Sequence, residues 1–92
     1  MGKAVITFKL MPEEVETDLG PIKEQAEAIA REGGAIGEMR ISEEPIAFGL
    51  KSVQLLGMFE VEGSDFDGMT EKMAAIEGCA NAEIAKMDLA LG

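Results

Sequence analysis

Residues Lys3 to Met11 alternate, with Ala4, Ile6, Phe8 and Leu10 on one parity and Val5, Thr7 and Lys9 on the other. A period of two sends successive side chains to opposite faces, so this run predicts a strand with one apolar face. Pro12 cannot donate to a ladder and ends it. An acidic loop follows, Pro12 to Glu16, and then the period changes. Leu19, Ile22, Ala26 and Ile29 recur at three and four, while Lys23, Glu24, Glu27 and Arg31 lie elsewhere on the wheel. That spacing predicts an amphipathic helix. Asp18 supplies an N-cap, Pro21 falls in the first turn where a missing N–H does no harm, and Gly33-Gly34 stops the helix.

Ala35 to Glu43 reads as a weaker strand, favoured by Ile36 and Ile41 and opposed by Gly37. Phe48 to Glu62 predicts a third strand. In it Val53, Leu55, Phe59 and Val61 share a parity, and Gly57 marks a bulge or a close-packing point. Gly63-Ser64-Asp65 reads as a turn. Phe66, Met69, Met73 and Ile76 then return to helical spacing, with Gly78 as the C-cap. Asn81 to Leu91 predicts a last strand of ambiguous face, since Ile84 has one parity and Met87, Leu89 and Leu91 the other. The order strand, helix, strand, strand, helix, strand predicts an α+β fold, the ferredoxin-like βαββαβ sandwich. Its four-stranded antiparallel sheet carries two helices on one face. No linker or low-complexity tract interrupts the elements, so residues 1–92 read as a single domain.

Composition narrows the chemistry. Apolar residues make up 47% of the chain and aromatics 4%, so the core must come from aliphatic side chains, methionine and alanine. One cysteine and no histidine remove an internal disulfide, the usual zinc and iron–sulfur constellations and the commonest general base near neutral pH. The net charge of −10 repels phosphate backbones, so a basic protein partner fits better than nucleic acid. No run approaches the ~18 apolar residues of a membrane span, and the start lacks the pattern of a signal peptide. A cytoplasmic protein is the expectation, with no membrane contact. The adjacent carboxylates Glu13/Glu14 and Glu43/Glu44 point to opposite faces of an extended chain, which does not make an acid–base dyad. Cys79 has no activating neighbour, and Gly33-Gly34 has no phosphate-loop lysine. No catalytic, cofactor-binding or metal-binding set emerges, and an enzyme is not predicted.

SEEPIAFGL, Ser42 to Leu50, stands apart. Pro45 biases Glu44 toward extended geometry, and Ile46-Ala47-Phe48-Gly49 sits where the second strand turns into the third. Hairpin tips are usually polar, and this one is apolar between charged flanks. Composition alone favours Phe48 folding back over the sheet edge. The functional alternative is an aromatic anchor on a short loop, entering a pocket of a partner.

The start MGKAVITFKLMPE, the segment EEPIAFGLKSVQL and the IEG turn after the second helix resemble the archaeal elongation factor 1-beta family along the whole chain. The chain is similar as well to the catalytic domain of the eukaryotic beta subunit, whose loop reads like PIGFGIKKLQ. Pro45, Ile46, Phe48, Gly49, Lys51, Gln54 and Leu55 match that loop without a gap. The resemblance implies a guanine nucleotide exchange factor that needs no cofactor of its own. Its partner would be elongation factor 1-alpha, whose nucleotide and Mg²⁺ site it would distort so that GDP leaves and GTP enters. Phe48 is then the loop wedge, with Pro45, Ile46, Ala47, Gly49 and Lys51 around it. In the eukaryotic domain a near-terminal lysine reaches toward the Mg²⁺ site. The ungapped match places Leu89 there, and the nearest base is Lys86. Either the wedge suffices in this chain, or Lys86 serves from a shifted register, or exchange is weak.

Two other readings compete. A ferredoxin-like regulatory domain would dimerise through its sheet, bind a small molecule and lack exchange activity. An RNA-binding sheet would need exposed aromatics and a basic face. Phe48 discriminates the first of these: an exchange factor needs it exposed and outward, and a ligand-binding domain has no use for an apolar hairpin tip.

Overall fold

The computed structural model describes residues 2–90. Its elements run β1 (Lys3–Pro12), α1 (Leu19–Glu32), β2 (Ile36–Pro45), β3 (Lys51–Glu60), α2 (Phe66–Ala74) and β4 (Cys79–Ala90). The sheet order is β2-β3-β1-β4, antiparallel throughout. This is the predicted ferredoxin-like α+β arrangement. The alternation of β1 follows from its central place: Ala4, Ile6, Phe8 and Leu10 are all buried against the helices. Val53, Leu55 and Phe59 of β3 join them with Ile22, Ala26 and Ala30 of α1 and Met69 and Met73 of α2. Phe8, Phe59 and Phe66 form an edge-to-face chain with ring centroids 5.9 and 5.6 Å apart. Three of the four phenylalanines are thereby spent on the interior.

Local chemistry sets the helix ends. Asp18 Oδ1 accepts from the Gly20 N–H at 3.0 Å and caps α1. At the other end Gly34, at φ +107, lets the Ala35 N–H reach the Ala30 carbonyl and its own N–H reach that of Arg31. That pair of bonds closes the helix in a Schellman turn. Asp65 Oδ1 caps α2 through the Gly68 N–H at 2.9 Å. Helix α2 ends at Ala74 with Ala75 as its C-cap, not with Gly78, which lies instead in the turn into β4 where the Cys79 N–H donates to the Ile76 carbonyl.

Three strand predictions need correction. The third strand begins at Lys51 rather than Phe48 and ends at Glu60, so Val61 leaves the sheet and is partly exposed. Gly57 is a close-packing point: a Cβ there would stand 3.0 Å from the Phe59 ring. The irregularity opposite it belongs to β2, where Gly37 to Met39 fall between the pairs Ile36–Met58 and Arg40–Leu56. That bulge, and an edge position that leaves most of β2 exposed, account for its blurred pattern. In β4, Thr7 pairs with Lys86 and Phe8 with Ile84, so Ala85 is unpaired. The extra residue reverses the parity. Directly opposed residues share a face, so Ile84, Met87 and Leu89 all lie on the helix side with Phe8, Ile6 and Ala4. Leu91 lies outside the described residues.

Candidate partner-binding site

The hairpin joining β2 to β3 closes with the pair Pro45–Lys51. Proline is tolerated there because β2 is an edge strand. Inside the closing pair the Ile46 N–H donates to the Leu50 carbonyl at 2.8 Å, and the Leu50 N–H to that of Ala47 at 3.2 Å. The chain reverses through two successive residues of positive φ, Phe48 at +60 and Gly49 at +79. Glycine adopts that conformation freely, whereas phenylalanine does so at a cost of about 1–2 kcal/mol. The result is display. Phe48 is 93% exposed while Ile46 and Leu50 on either side are half-buried shoulders. The reading in which Phe48 folds back over the sheet edge is therefore wrong. Backbone geometry at the tip turns the ring away from the sheet.

The stem below is tied by side chains. Glu43 Oε2 lies 2.5 Å from Lys23 Nζ of α1, and Oε1 lies 4.0 Å from Lys51 Nζ. The hydrogen bond from Lys23 holds the Glu43 carboxyl below its ordinary range, with the charges of Lys23 and Lys51 acting the same way and partial burial opposing them. Gln54 Nε2 donates to Glu44 Oε2 at 2.7 Å, and Ser52 Oγ to the Glu44 carbonyl. Between this stem and the β1–α1 loop lies a cleft of about 450 Å³, lined by Pro12, Val15, Leu19, Glu43, Gly49 and Lys51. Val15 is 60% exposed, and its Cγ1 stands 3.7 Å from where a Gly49 Cβ would be. In the sequence Val15 reads only as part of an acidic loop. A lone valine among Glu13, Glu14 and Glu16 was the available signal.

The structure brings Pro45, Ile46, Ala47, Phe48, Gly49 and Lys51 together at one end of the sheet and places Lys86 and Leu89 elsewhere. Lys51 is level with Pro12 and Leu89 with Ala4, about 26 Å away along the strands. Lys86 pairs with Thr7 on the face away from the helices and lies 3.6 Å from Asp88. Leu89 faces the helix side but is 68% exposed, and Met87 beside it 48%. Cys79 is buried and donates to the Asn81 carbonyl at 3.3 Å; burial pushes its thiol up, the opposite of what a nucleophile needs. Among the described residues no helix is long and apolar enough to cross a membrane.

The family model described as the EF-1 guanine nucleotide exchange domain matches residues 5–90. Proteins named elongation factor 1-beta are similar over nearly their whole length. That of Methanosphaerula palustris is 35% identical over 89 residues, covering 97% of this chain and 99% of the relative. That of Methanococcoides burtonii is 36% identical over 88 residues, covering 95% and 96%. That of Archaeoglobus fulgidus is 36% identical over 90 residues, covering 97% and 99%.

Proposed function

The chain belongs to the elongation factor 1-beta guanine nucleotide exchange family, and from that premise we propose that it drives GDP from elongation factor 1-alpha by pressing Phe48 into that GTPase. Guanine nucleotide exchange in translation elongation is the activity its family carries. The further reading concerns partner and mechanism. The observation that supports it is Phe48 at 93% exposure in a left-handed conformation. A phenylalanine in a partner's pocket contributes roughly 1.5–3 kcal/mol by burial. The tip is already shaped in the free protein, so little of this is lost to ordering on contact.

No bond is made or broken by the factor. It binds the nucleotide-free GTPase better than the GDP-bound form, and by linkage GDP affinity falls by the same ratio. Pro45, Ile46, Ala47, Gly49 and Lys51 shape and flank the wedge. Contact by Lys86 or Leu89 as well would need a partner surface reaching along most of a molecule 41 Å long. Residues three apart on a strand face opposite ways, so Lys86 does not substitute for a base at the Leu89 position. Leu89 itself supplies an apolar contact and no charge. In this reading residues 1–92 act as one exchange domain in the cytoplasm, on a protein partner and not on nucleic acid. An outward Phe48 weighs against the small-molecule regulatory reading.

The test is release of fluorescent GDP from elongation factor 1-alpha, with this protein and with its Phe48→Ala variant. The expected result is acceleration by the parent and its loss in a variant whose circular dichroism and melting are unchanged. Full acceleration by Phe48→Ala would overturn the wedge.

A further inference from the structure

Strand β2 carries one side of the Phe48 hairpin yet has a weak hold on the body. It is an edge strand, exposed along most of its length and bulged at Gly37 to Met39. Helix α1 ties it down at two places. Arg31 Nη1 donates to the Gly37 carbonyl at 2.8 Å beside the bulge, and Lys23 reaches Glu43 near the tip. Those two cations are eight residues apart on the helix, about 12 Å. They stand under the two ends of β2 like a pair of stays.

We infer that Glu43 is a positioning residue for exchange, its ion pair with Lys23 setting the angle at which the hairpin carries Phe48. The inference rests on Phe48 being the wedge. Up to about 16 Å of chain separates Glu43 from Phe48. A tilt of about 10° at the stem moves the ring by about 3 Å, so loosening the pair lowers the fraction of time the ring is correctly placed. Lys51 holds the same carboxylate from the third strand, so Glu43 joins α1, β2 and β3 at the level where the turn begins. Nothing in this arrangement requires Glu43 to touch the partner.

The experiment measures GDP release from elongation factor 1-alpha against factor concentration for Glu43→Gln, Lys23→Met, their double variant, Lys23→Arg and Phe48→Ala. A half-exposed ion pair of this kind predicts a fall of about two- to fivefold in the maximal rate for each single variant. The half-saturating concentration and the melting temperature stay near those of the parent. The double variant is no slower than either single, because both remove one interaction. Lys23→Arg retains the parent rate. A parental maximal rate in Glu43→Gln, a loss confined to half-saturation, or single effects that multiply in the double variant would each overturn the positioning role. Phe48→Ala separates the two readings. If it abolishes exchange while Glu43→Gln does nothing, only the positioning role fails; if Phe48→Ala exchanges normally, the wedge itself fails.

Discussion

The two ends of the sheet both expose apolar side chains, and they do so for different reasons. At the hairpin, Phe48 is turned outward by its own backbone, in a conformation that phenylalanine adopts only against a steric penalty. At the far end, Met87 and Leu89 are exposed on the helix side of β4, on ordinary strand backbone with no strained conformation beneath them. The first side chain is aimed and the second merely uncovered. Exposure alone therefore does not rank the two; the strain beneath the exposure does, since a costly conformation persists only where surrounding structure or function holds it.

Replacing Phe48 by glycine breaks this contrast most sharply. Exchange should fall by at least about thirtyfold, the scale of a lost interface anchor. The free protein should be more stable than the Phe48→Ala variant by about 1 kcal/mol in urea unfolding, because glycine accepts the left-handed turn without strain. Equal stability of the two variants would mean that the turn relaxes when the ring is absent. Next in size, Gly49→Ala should cost about 1–2 kcal/mol, read by thermal unfolding, as a Cβ meets the same left-handed restriction at φ +79. At the other end, on the proposed reading with Leu89 at the rim of the contact, Leu89→Ser should raise the half-saturating concentration of the factor by about two- to fivefold and leave the maximal rate alone. A collapse of the maximal rate would place Leu89 on equal footing with Phe48.

The smallest effect concerns Glu43. Its carboxyl titrates below its ordinary value of 4.5 in the folded protein, so the unfolded chain binds the proton more readily. The stabilisation it provides is present above pH 4.5 and is lost as the pH falls through the lower, folded value. Chemical unfolding across pH 3 to 6 should show a shallower acid slope in Glu43→Gln than in the parent. Parallel slopes would remove the ion pair from the acid response.

How much of this was legible beforehand follows from where each residue sits. β1 was readable because a central strand with one buried face must alternate, and Ala4, Ile6, Phe8 and Leu10 do so. β2 was blurred because an edge strand is held to no such pattern. The mixed parity of β4 looked like noise and was a bulge: one unpaired alanine reconciles Ile84 with Met87 and Leu89. At the hairpin, composition pointed Phe48 the wrong way, since no apolar pattern encodes a left-handed phenylalanine; similarity to a known loop pointed it correctly. The Lys23–Glu43 tie joins residues twenty positions apart on different elements and has no periodic signature at all.

The bulges have a consequence for the protein as a solute. A sheet of four strands ends in two unpaired rows of amide and carbonyl groups, each a template on which another chain can add a strand and begin to aggregate. Here β2 is broken at Gly37 to Met39, and β4 at Ala80 and Ala85. Each break bends the strand and sharpens its twist, so neither rim stays straight for long enough to be copied. The irregularities that obscured these strands to a reader of the sequence also protect the folded protein from its own kind.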